Sequence, residues 1–210
     1  MSKPLGRREQ KKADTRQHLS NVATLLFIRH GFENVSVADI ADAAGVSRKT
    51  VFNYFLCKEE LMFDREEESR TLLRQALLAS PDAPLPTLLA LLRRLLEDGH
   101  PLLRVSVRAR RFWKAVAASP ALSAHARQLQ ITLGDDLAEL LLEAAAEPVD
   151  PALARLAAAM VMSTLVIGYG QAMAADRRRE PPVPAFAAVM ERGFAGVTAA
   201  LAGSPLAARH

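Results

Sequence analysis

The 210-residue chain carries a formal net charge of +4, half of its residues are apolar, and only 5% are aromatic. That length allows one domain, or a small and a larger domain, with a substantial core. Ala and Leu dominate the apolar residues, which favours helices over strands. A single cysteine, Cys57, excludes an intrachain disulfide and fits a reducing cytoplasm. The charged N-terminus has no apolar run behind it and does not resemble a signal peptide.

The N-terminal region predicts a polar arm followed by a helix. Residues 1–13 are charged and polar, which is typical of a disordered basic arm that either lies along DNA or only keeps the chain soluble. A helix is predicted over residues 14–30, because apolar residues recur there at helical spacing. Gly31 ends this helix.

Residues 36–55 predict two short helices joined by a tight turn. Ser36 is a good N-cap for a helix over residues 37–43, and Gly45 suits the turn that follows it. Ser47 then caps a second helix over residues 48–54, in which Val51 points to the core. This arrangement is a helix-turn-helix, the motif whose second helix enters the major groove of DNA.

The outer face of the second helix is basic and polar. Arg and Lys neutralise phosphates or bind guanine, Asn pairs with adenine, and Thr meets a phosphate or a thymine methyl. Through Lys58 the chain has ten basic and five acidic residues, so the basic excess lies in this region. A helix pair that is merely solvated remains the alternative. The outer side chains are Arg48, Lys49, Thr50, Asn53 and Tyr54, with Lys58 just beyond them.

Residues 15–61 resemble the DNA-binding domain of the TetR family of transcription regulators. The matching features are a helix, a Gly-Phe turn, a capped helix, a Gly-Val turn and a helix ending in Phe-Asn-Tyr-Phe, followed by Lys-Glu-Glu-Leu. The resemblance implies a dimeric, ligand-responsive DNA-binding protein with a variable C-terminal helical domain. The DNA contacts that it implies are Ser36, Ser47, Arg48, Lys49, Thr50, Asn53, Tyr54 and Lys58.

Two positions depart from the family pattern. Phe52 stands where the family often has Tyr, so a hydroxyl contact to the DNA backbone is lost. Leu56 and Cys57 replace the usual Pro-Ser, which leaves the next helix with a poor N-cap. Because Cys57 would lie at a helix N-terminus beside Lys58, one hypothesis is a reactive thiol of lowered pKa. The alternative is a harmless substitution.

The remaining chain is predicted to be helical throughout, giving an all-α protein of about nine helices. The helix-turn-helix domain spans residues 14–57, and a connector helix follows over 58–79. A break at Ser80-Pro81-Asp82-Ala83-Pro84 marks the domain boundary. A helical ligand-binding and dimerisation domain then spans 80–202, and the tail 203–210 should fray. Its helices are predicted over 85–98, 102–119, 120–146, 152–176 and 184–201.

Residues 156–175 carry no charge and are long enough to span a bilayer. Their Ala-rich composition and their charged flanks favour a buried helix of a soluble protein.

Small residues on this helix and the last one allow close helix crossing, and by resemblance to the family the two helices pair with a second copy. The predicted dimer interface is Thr164, Gly168, Ala172, Phe186, Val189, Gly193 and Val197.

The C-terminal domain also offers residues for a small-molecule pocket, each of which could equally be ordinary core. The predicted lining is Arg108, Phe112, Trp113, His125, Met162 and Tyr169.

No phosphate loop, nucleophile arrangement or metal-ligand spacing occurs, so the chain is predicted to be no enzyme and to need no cofactor or metal. The sequence therefore predicts a ligand-released repressor that binds a palindromic operator as a dimer. A nonspecific DNA binder and a helical ligand-binding protein are the alternatives.

Overall fold

The computed structural model describes residues 6–105 and 109–207, which form nine α-helices and no β-strand. The predicted all-α fold class is therefore confirmed. In chain order the helices are α1 (Arg7–His30), α2 (Val37–Ala43), α3 (Arg48–Phe52), α4 (Glu66–Leu78), α5 (Pro84–Glu97), α6 (Arg110–Ala118), α7 (Pro120–Ala144), α8 (Pro151–Arg177) and α9 (Pro182–Ala200).

The chain forms two compact units. The first comprises Met1–Asp64 and Arg111–Arg127, and the second comprises Arg65–Arg110 and Gln128–His210. This division differs from the predicted boundaries, because α6 and the first turns of α7 share a core with the N-terminal helices. Phe112, for example, belongs to the same buried cluster as residues of α1 and α2.

Helix α1 begins at Arg7, within the segment predicted to be a disordered arm. The backbone N–H of Gly6 donates to Glu9 Oε2 at 3.2 Å, which satisfies one of the free donors at the start of the helix. The charged residues that follow are good helix formers, so polarity alone did not indicate disorder here. The prediction for residues 1–5 lies outside the described residues.

The predicted connector helix over residues 58–79 is interrupted. A 3₁₀ turn covers Glu59–Leu61, and α4 starts only at Glu66. Leu61 and Met62 are both completely buried, and the Phe63 ring stacks 5.6 Å from the His125 ring. Three consecutive side chains cannot all face one core from a straight α-helix, because neighbours on a helix point about 100° apart. The chain therefore turns before α4 begins.

The predicted helix over residues 102–119 is also shorter than expected. Among the described residues it is α6, Arg110–Ala118, and residues 106–108 are not described. Leu103 and Val105 are both buried two positions apart, a spacing that belongs to extended chain rather than to a helix. The burial pattern explains why the helix does not begin at residue 102.

The second unit is built around leucine-rich α5 and the long pair α8 and α9. Leu88, Leu137 and Phe194 lie in one continuous buried cluster. Helices α8 and α9 make the most extensive helix–helix contact in the described chain. Their approach is close: a Cβ added at Gly168 would lie 3.0 Å from the Phe186 ring, and one added at Gly193 would lie 2.2 Å from Thr164.

Most residues of the predicted dimer interface are used inside one chain. Thr164, Gly168, Ala172, Phe186 and Val197 are buried against the chain's own helices, and Val189 and Gly193 are half-buried. The predicted close crossing is present, but it joins α8 to α9 of the same molecule. These residues are therefore not available to a second copy without opening that contact.

The C-terminal tail does not fray over its described part. Leu206 is completely buried, and its carbonyl accepts a hydrogen bond from the Leu85 N–H at 3.4 Å. The chain after α9 thus covers the start of α5. Residues 208–210 are not described.

Helix α8 is, among the described helices, the one long and apolar enough to cross a membrane by length and composition. Its most apolar 18-residue window has a mean hydropathy of 1.6, and one third of that window is buried. The prediction of a buried helix thus holds for one face of α8. The other face leaves Leu156, Val166 and Ile167 exposed.

We predict that Gly193→Ala destabilises the protein by about 1–3 kcal/mol, because the new methyl has no room beside Thr164. The Thr164 hydroxyl donates to the Met160 carbonyl at 2.8 Å, which holds its rotamer in place. Urea unfolding followed by circular dichroism measures the effect.

Gly134→Ala on α7 is the matched control, because its methyl would meet Met162 Cγ at an ordinary 3.6 Å. It should stabilise the protein by up to about 1 kcal/mol through helix propensity. Thr164→Ala in the Gly193→Ala background should recover part of the loss. Equal stability of the two glycine variants would contradict the close crossing.

Candidate nucleic-acid interface

Helix α2 is fixed at its start by a reciprocal pair of side chains. Ser36 Oγ accepts from the Asp39 N–H at 3.1 Å, while the Asp39 carboxylate accepts from the Ser36 N–H at 2.8 Å. The N-cap predicted at Ser36 is confirmed, and together with Asp39 it forms a capping box. Hydrogen bonds from the Ser36 hydroxyl and backbone hold the pKa of the Asp39 carboxyl below its usual value.

A glycine turn joins α2 to α3. Gly45 has φ of +67°, in the left-handed region that favours glycine, and a Cβ there would clash with nothing. The Val46 N–H then donates to the Ala41 carbonyl at 2.9 Å, which brings the chain back across the end of α2. The predicted position and conformation of this turn are confirmed.

Helix α3 has five residues and a capped start. The Ser47 hydroxyl accepts from the Thr50 N–H at 3.1 Å and lies 2.9 Å from the Thr50 hydroxyl. Val51 and Phe55 are buried below the helix, at 1% and 2% exposure. Arg48 and Lys49 are exposed on the helix and Asn53 just after it, so α3 presents a basic and polar face to solvent.

The predicted DNA contacts fall into two groups. Arg48, Lys49, Asn53, Ser47 and Ser36 are exposed. The Thr50 hydroxyl pairs with Ser47, Tyr54 is half-buried, and Lys58 is partly buried. The side chains of the first group are therefore more accessible to a nucleic acid than those of the second.

Arg16 of α1 is a residue that the sequence interpretation missed. Its guanidinium lies 4.2 Å above the centre of the Phe55 ring, and it donates a hydrogen bond to the Tyr54 carbonyl. Both contacts hold the C-terminal end of α3 against α1. The partners are 38 residues apart along the chain, so no local pattern could have indicated them.

Lys58 is engaged in the first unit rather than free. Its Nζ donates to the Phe32 carbonyl at 2.7 Å and lies 4.0 Å from the centre of the Phe32 ring. The Phe27 ring is 5.8 Å from the same nitrogen. A charge-assisted hydrogen bond together with a cation–π contact ties the segment after α3 to the turn after α1.

The environment of Cys57 contradicts the hypothesis of a lowered thiol pKa. Partial burial, followed by the nearby carboxylates of Glu60 and Glu59, raises the pKa of Cys57, despite a backbone hydrogen bond at Glu60 that lowers it. The Glu60 carboxylate also accepts from the Leu56 N–H at 2.8 Å. Two acidic side chains follow the cysteine, so the thiolate is disfavoured there.

The residues predicted to line one pocket belong to different units. In the first unit, Phe63 contacts both Phe112 and His125, and Trp113 packs edge-on to Phe112 at 5.1 Å. Met162 and Tyr169 instead line a cavity of about 140 Å³ in the second unit. Arg108 lies outside the described residues. Of the residues predicted to line the pocket, Met162 and Tyr169 are therefore the two that line this cavity.

This cavity is lined almost entirely by apolar side chains, mostly leucines of α4, α5, α7 and α8. Ser69 and Tyr169 are its polar members, and none of its lining side chains among residues 6–105 and 109–207 is charged. Burial raises the pKa of Tyr169, although backbone hydrogen bonding and the charge of Arg104 lower it. Within residues 6–105 and 109–207, no group of three or more His, Cys, Asp or Glu could hold a metal ion.

Two short helices at a glycine turn, the second with a capped start and an exposed basic face, define a helix-turn-helix protein. Residues 20–64 match the sequence model of the family described as bacterial regulatory proteins, tetR family. The match covers 45 of the 210 residues, so the chain resembles this family over the N-terminal region that contains the helix-turn-helix.

Two relatives match the same region. One is a Mycobacterium tuberculosis protein for which the name mycofactocin biosynthesis transcriptional regulator MftR has been proposed, with 46% identity over 52 residues. The other is the HTH-type transcriptional regulator AcrR of Shigella flexneri, with 36% identity over 63 residues. The matches span 25% and 30% of this chain, and 26% and 29% of those proteins.

Solved structures resemble the chain over most of its length. The SmeT–triclosan complex has a TM-score of 0.56 at 20% identity, covering 87% of this chain and 91% of that one. SmeT is the repressor of the Stenotrophomonas maltophilia multidrug efflux pump SmeDEF. NalD, the secondary repressor of MexAB-OprM in Pseudomonas aeruginosa, has a TM-score of 0.53 at 19% identity, covering 89% and 97% of the chains. These likenesses establish the fold.

We predict that Lys58→Met lowers the stability of the first unit by about 1–3 kcal/mol, because the Phe32 carbonyl loses its charged partner. Methionine keeps most of the apolar stem, so packing is largely retained. Lys49→Met, at an exposed lysine of α3, is the matched control and should leave the unfolding midpoint unchanged. A Lys58→Met protein that unfolds like the wild type would refute the structural role of this lysine.

Proposed function

We propose that the protein is a sequence-specific transcription regulator that binds double-stranded DNA as a homodimer in the cytoplasm and is released from its operator by a small molecule. The observation that carries this proposal is the face of α3 turned away from the core. Arg48, Lys49 and Asn53 are exposed there, opposite buried Val51 and Phe55. Such a face fits the major groove, where Arg pairs with guanine and Asn with adenine.

A second copy is needed to bind a palindrome, because one helix-turn-helix contacts a short half-site. The exposed face of α8 supports a self-association surface. Leu156, Val166 and Ile167 leave about half of their surfaces uncovered, at 49%, 46% and 57% exposure. Ala159 and Gly170 lie on the same helix and are also exposed. A second copy of the chain would cover this stripe, which replaces the dimer interface predicted from the sequence.

Two exposed glycines, Gly170 and Gly196, also favour a self-association surface on α8 and α9. A Cβ at Gly170 of α8 or at Gly196 of α9 would meet nothing within 4 Å. A glycine inside a helix lowers helix stability by about 1 kcal/mol relative to alanine. The packing of the described chain does not explain why glycine is present at either position. Close approach of another helix would give such a reason.

The second unit supports a ligand of restricted chemistry. A cavity of about 140 Å³ whose described lining carries no charge suits an uncharged apolar group about the size of one aromatic ring. A charged ligand would lose its hydration there without gaining a partner. A larger ligand would require the leucine walls to move.

Helix α4 is the element through which such a ligand would act. It contributes Ser69, Leu72 and Leu73 to the cavity, and its outer side is joined to α7 by ion pairs of Arg70 with Asp136 and of Arg74 with Glu143. The N-terminal segment of the first unit ends at Asp64, two residues before α4 begins. Displacement of α4 by a ligand would therefore be transmitted directly along the chain to the helix-turn-helix.

Binding selection from random duplex DNA tests the central proposal. We expect an enriched palindrome, and we expect Arg48→Ala to lose discrimination at one base pair of each half-site at a cost of about 1–3 kcal/mol. Arg94→Ala, at an exposed arginine of α5, is the charge-matched control. Binding without enrichment would favour a nonspecific DNA binder, and absence of binding would favour a ligand-binding protein.

The same selection tests the dimer. Val166→Asp places a charge in the exposed stripe and should give a monomer by light scattering, with loss of the palindrome. Leu78→Asp on α4 is matched, because both side chains are 46% exposed; it should leave the dimer intact. A dimeric Val166→Asp protein would exclude this face of α8 as the interface.

Ligand chemistry is tested with toluene and benzoate, which share a ring but differ in charge. Toluene at saturating concentration should raise the thermal midpoint of the protein and weaken its binding to the selected DNA. Benzoate at the same concentration should do neither, because the lining residues that the structure describes include no cation to pair with its carboxylate. Equal effects of the two compounds would contradict the assignment of the cavity.

A further inference from the structure

Phe52 is an aromatic side chain that the fold leaves in solvent. It is the last residue of α3 and is 55% exposed, whereas Phe27 and Phe55 of the same unit are almost completely buried. Phe52 lies three and four positions after Lys49 and Arg48, so the helical repeat puts it on the same side of α3 as these cations. The neighbouring Leu56 is 88% exposed.

The chemistry of the major groove supplies one partner for an apolar side chain in this place. Each base edge presents hydrogen-bond donors and acceptors there, and thymine adds a C5 methyl group. An aromatic ring without a hydroxyl can neither donate to a phosphate nor pair with a base edge. It can bury a methyl group, and that burial is favourable.

We propose that Phe52 is a specificity-determining residue that packs against a thymine methyl in each half-site of the operator. This inference rests on the proposed function, because it requires α3 to enter the major groove. DNA is the occupant that the surroundings favour, since Arg48 and Lys49 are exposed one turn earlier on the same side of the helix and attract the phosphate backbone.

The test replaces thymidine by deoxyuridine, one position at a time, in the operator obtained by selection. This change removes one methyl group and keeps every hydrogen bond of the base pair. We expect at least one thymine in each half-site whose replacement weakens wild-type binding about fourfold, the factor that burial of one methyl-sized group is worth. In Phe52→Ala the same replacement should have no effect, and in Phe52→Leu it should retain part of its effect.

Leu25→Ala is the matched control. Leu25 is also 55% exposed and belongs to the same unit, but it lies on α1; its removal should leave the uridine effect at fourfold. Because Phe52 is largely outside the core, its variants should unfold at the wild-type temperature. A thermal scan checks that they are folded before binding is compared.

The outcomes separate this inference from the proposed function. An operator whose uridine substitutions leave binding unchanged overturns the methyl contact while the DNA-binding function stands. If Phe52→Ala weakens binding but remains sensitive to uridine, the ring contacts the sugar or the phosphate and the inference is also overturned. Failure to select any operator would refute the proposed function, and the methyl contact with it.

Discussion

A helix of five residues such as α3 cannot hold its own shape, and the packing of the first unit depends on this constraint. An isolated helix of that length is unstable in water, since so few residues cannot repay the cost of nucleation. Helix α3 is therefore held at both ends from outside. The Ser47 hydroxyl accepts a hydrogen bond from a backbone N–H at the start of α3. Just after the end of α3, the Arg16 guanidinium donates to the Tyr54 carbonyl and lies over the Phe55 ring. Val51 anchors it in between. These three contacts hold α3, and with it the exposed side chains of the helix, in place.

The constraint divides the cations of this unit into two kinds. Arg16 and Lys58 turn inward to carbonyls and aromatic rings, where each replaces the hydration of its charge by a hydrogen bond and a ring face. Arg48 and Lys49 remain exposed. A sequence shows four basic residues of equal charge, so the tally of basic residues overstated the number available to a phosphate backbone. Burial depends on residues far apart in the chain. It determines which cations contact carbonyls and rings inside the unit and which remain exposed.

The parts of the fold that could be predicted from the sequence are those that depend on neighbours in the chain. The bounds of α2, the capping box at Ser36 and the turn at Gly45 follow from hydrogen bonds within a few residues, and all of them were predictable. The interrupted connector was not predictable, because Leu61 and Met62 are drawn into a core that includes residues fifty positions away. Nor could the sequence show that the aromatic side chains of α6, which were predicted to line a pocket, contribute to the core of the first unit.

Helix α8 illustrates the limit of periodicity as an argument. A stripe of small residues at helical spacing indicates that another helix comes close, and Gly168 indeed lies against the Phe186 ring. The stripe does not indicate whether the approaching helix belongs to the same chain or to a second copy. Here the neighbouring helix is α9 of the same chain. The same two helices carry Gly170 and Gly196 on surfaces where a Cβ would meet nothing. Glycine weakens a helix unless the missing side chain is useful, so these two positions, rather than the buried stripe, favour the approach of a second molecule.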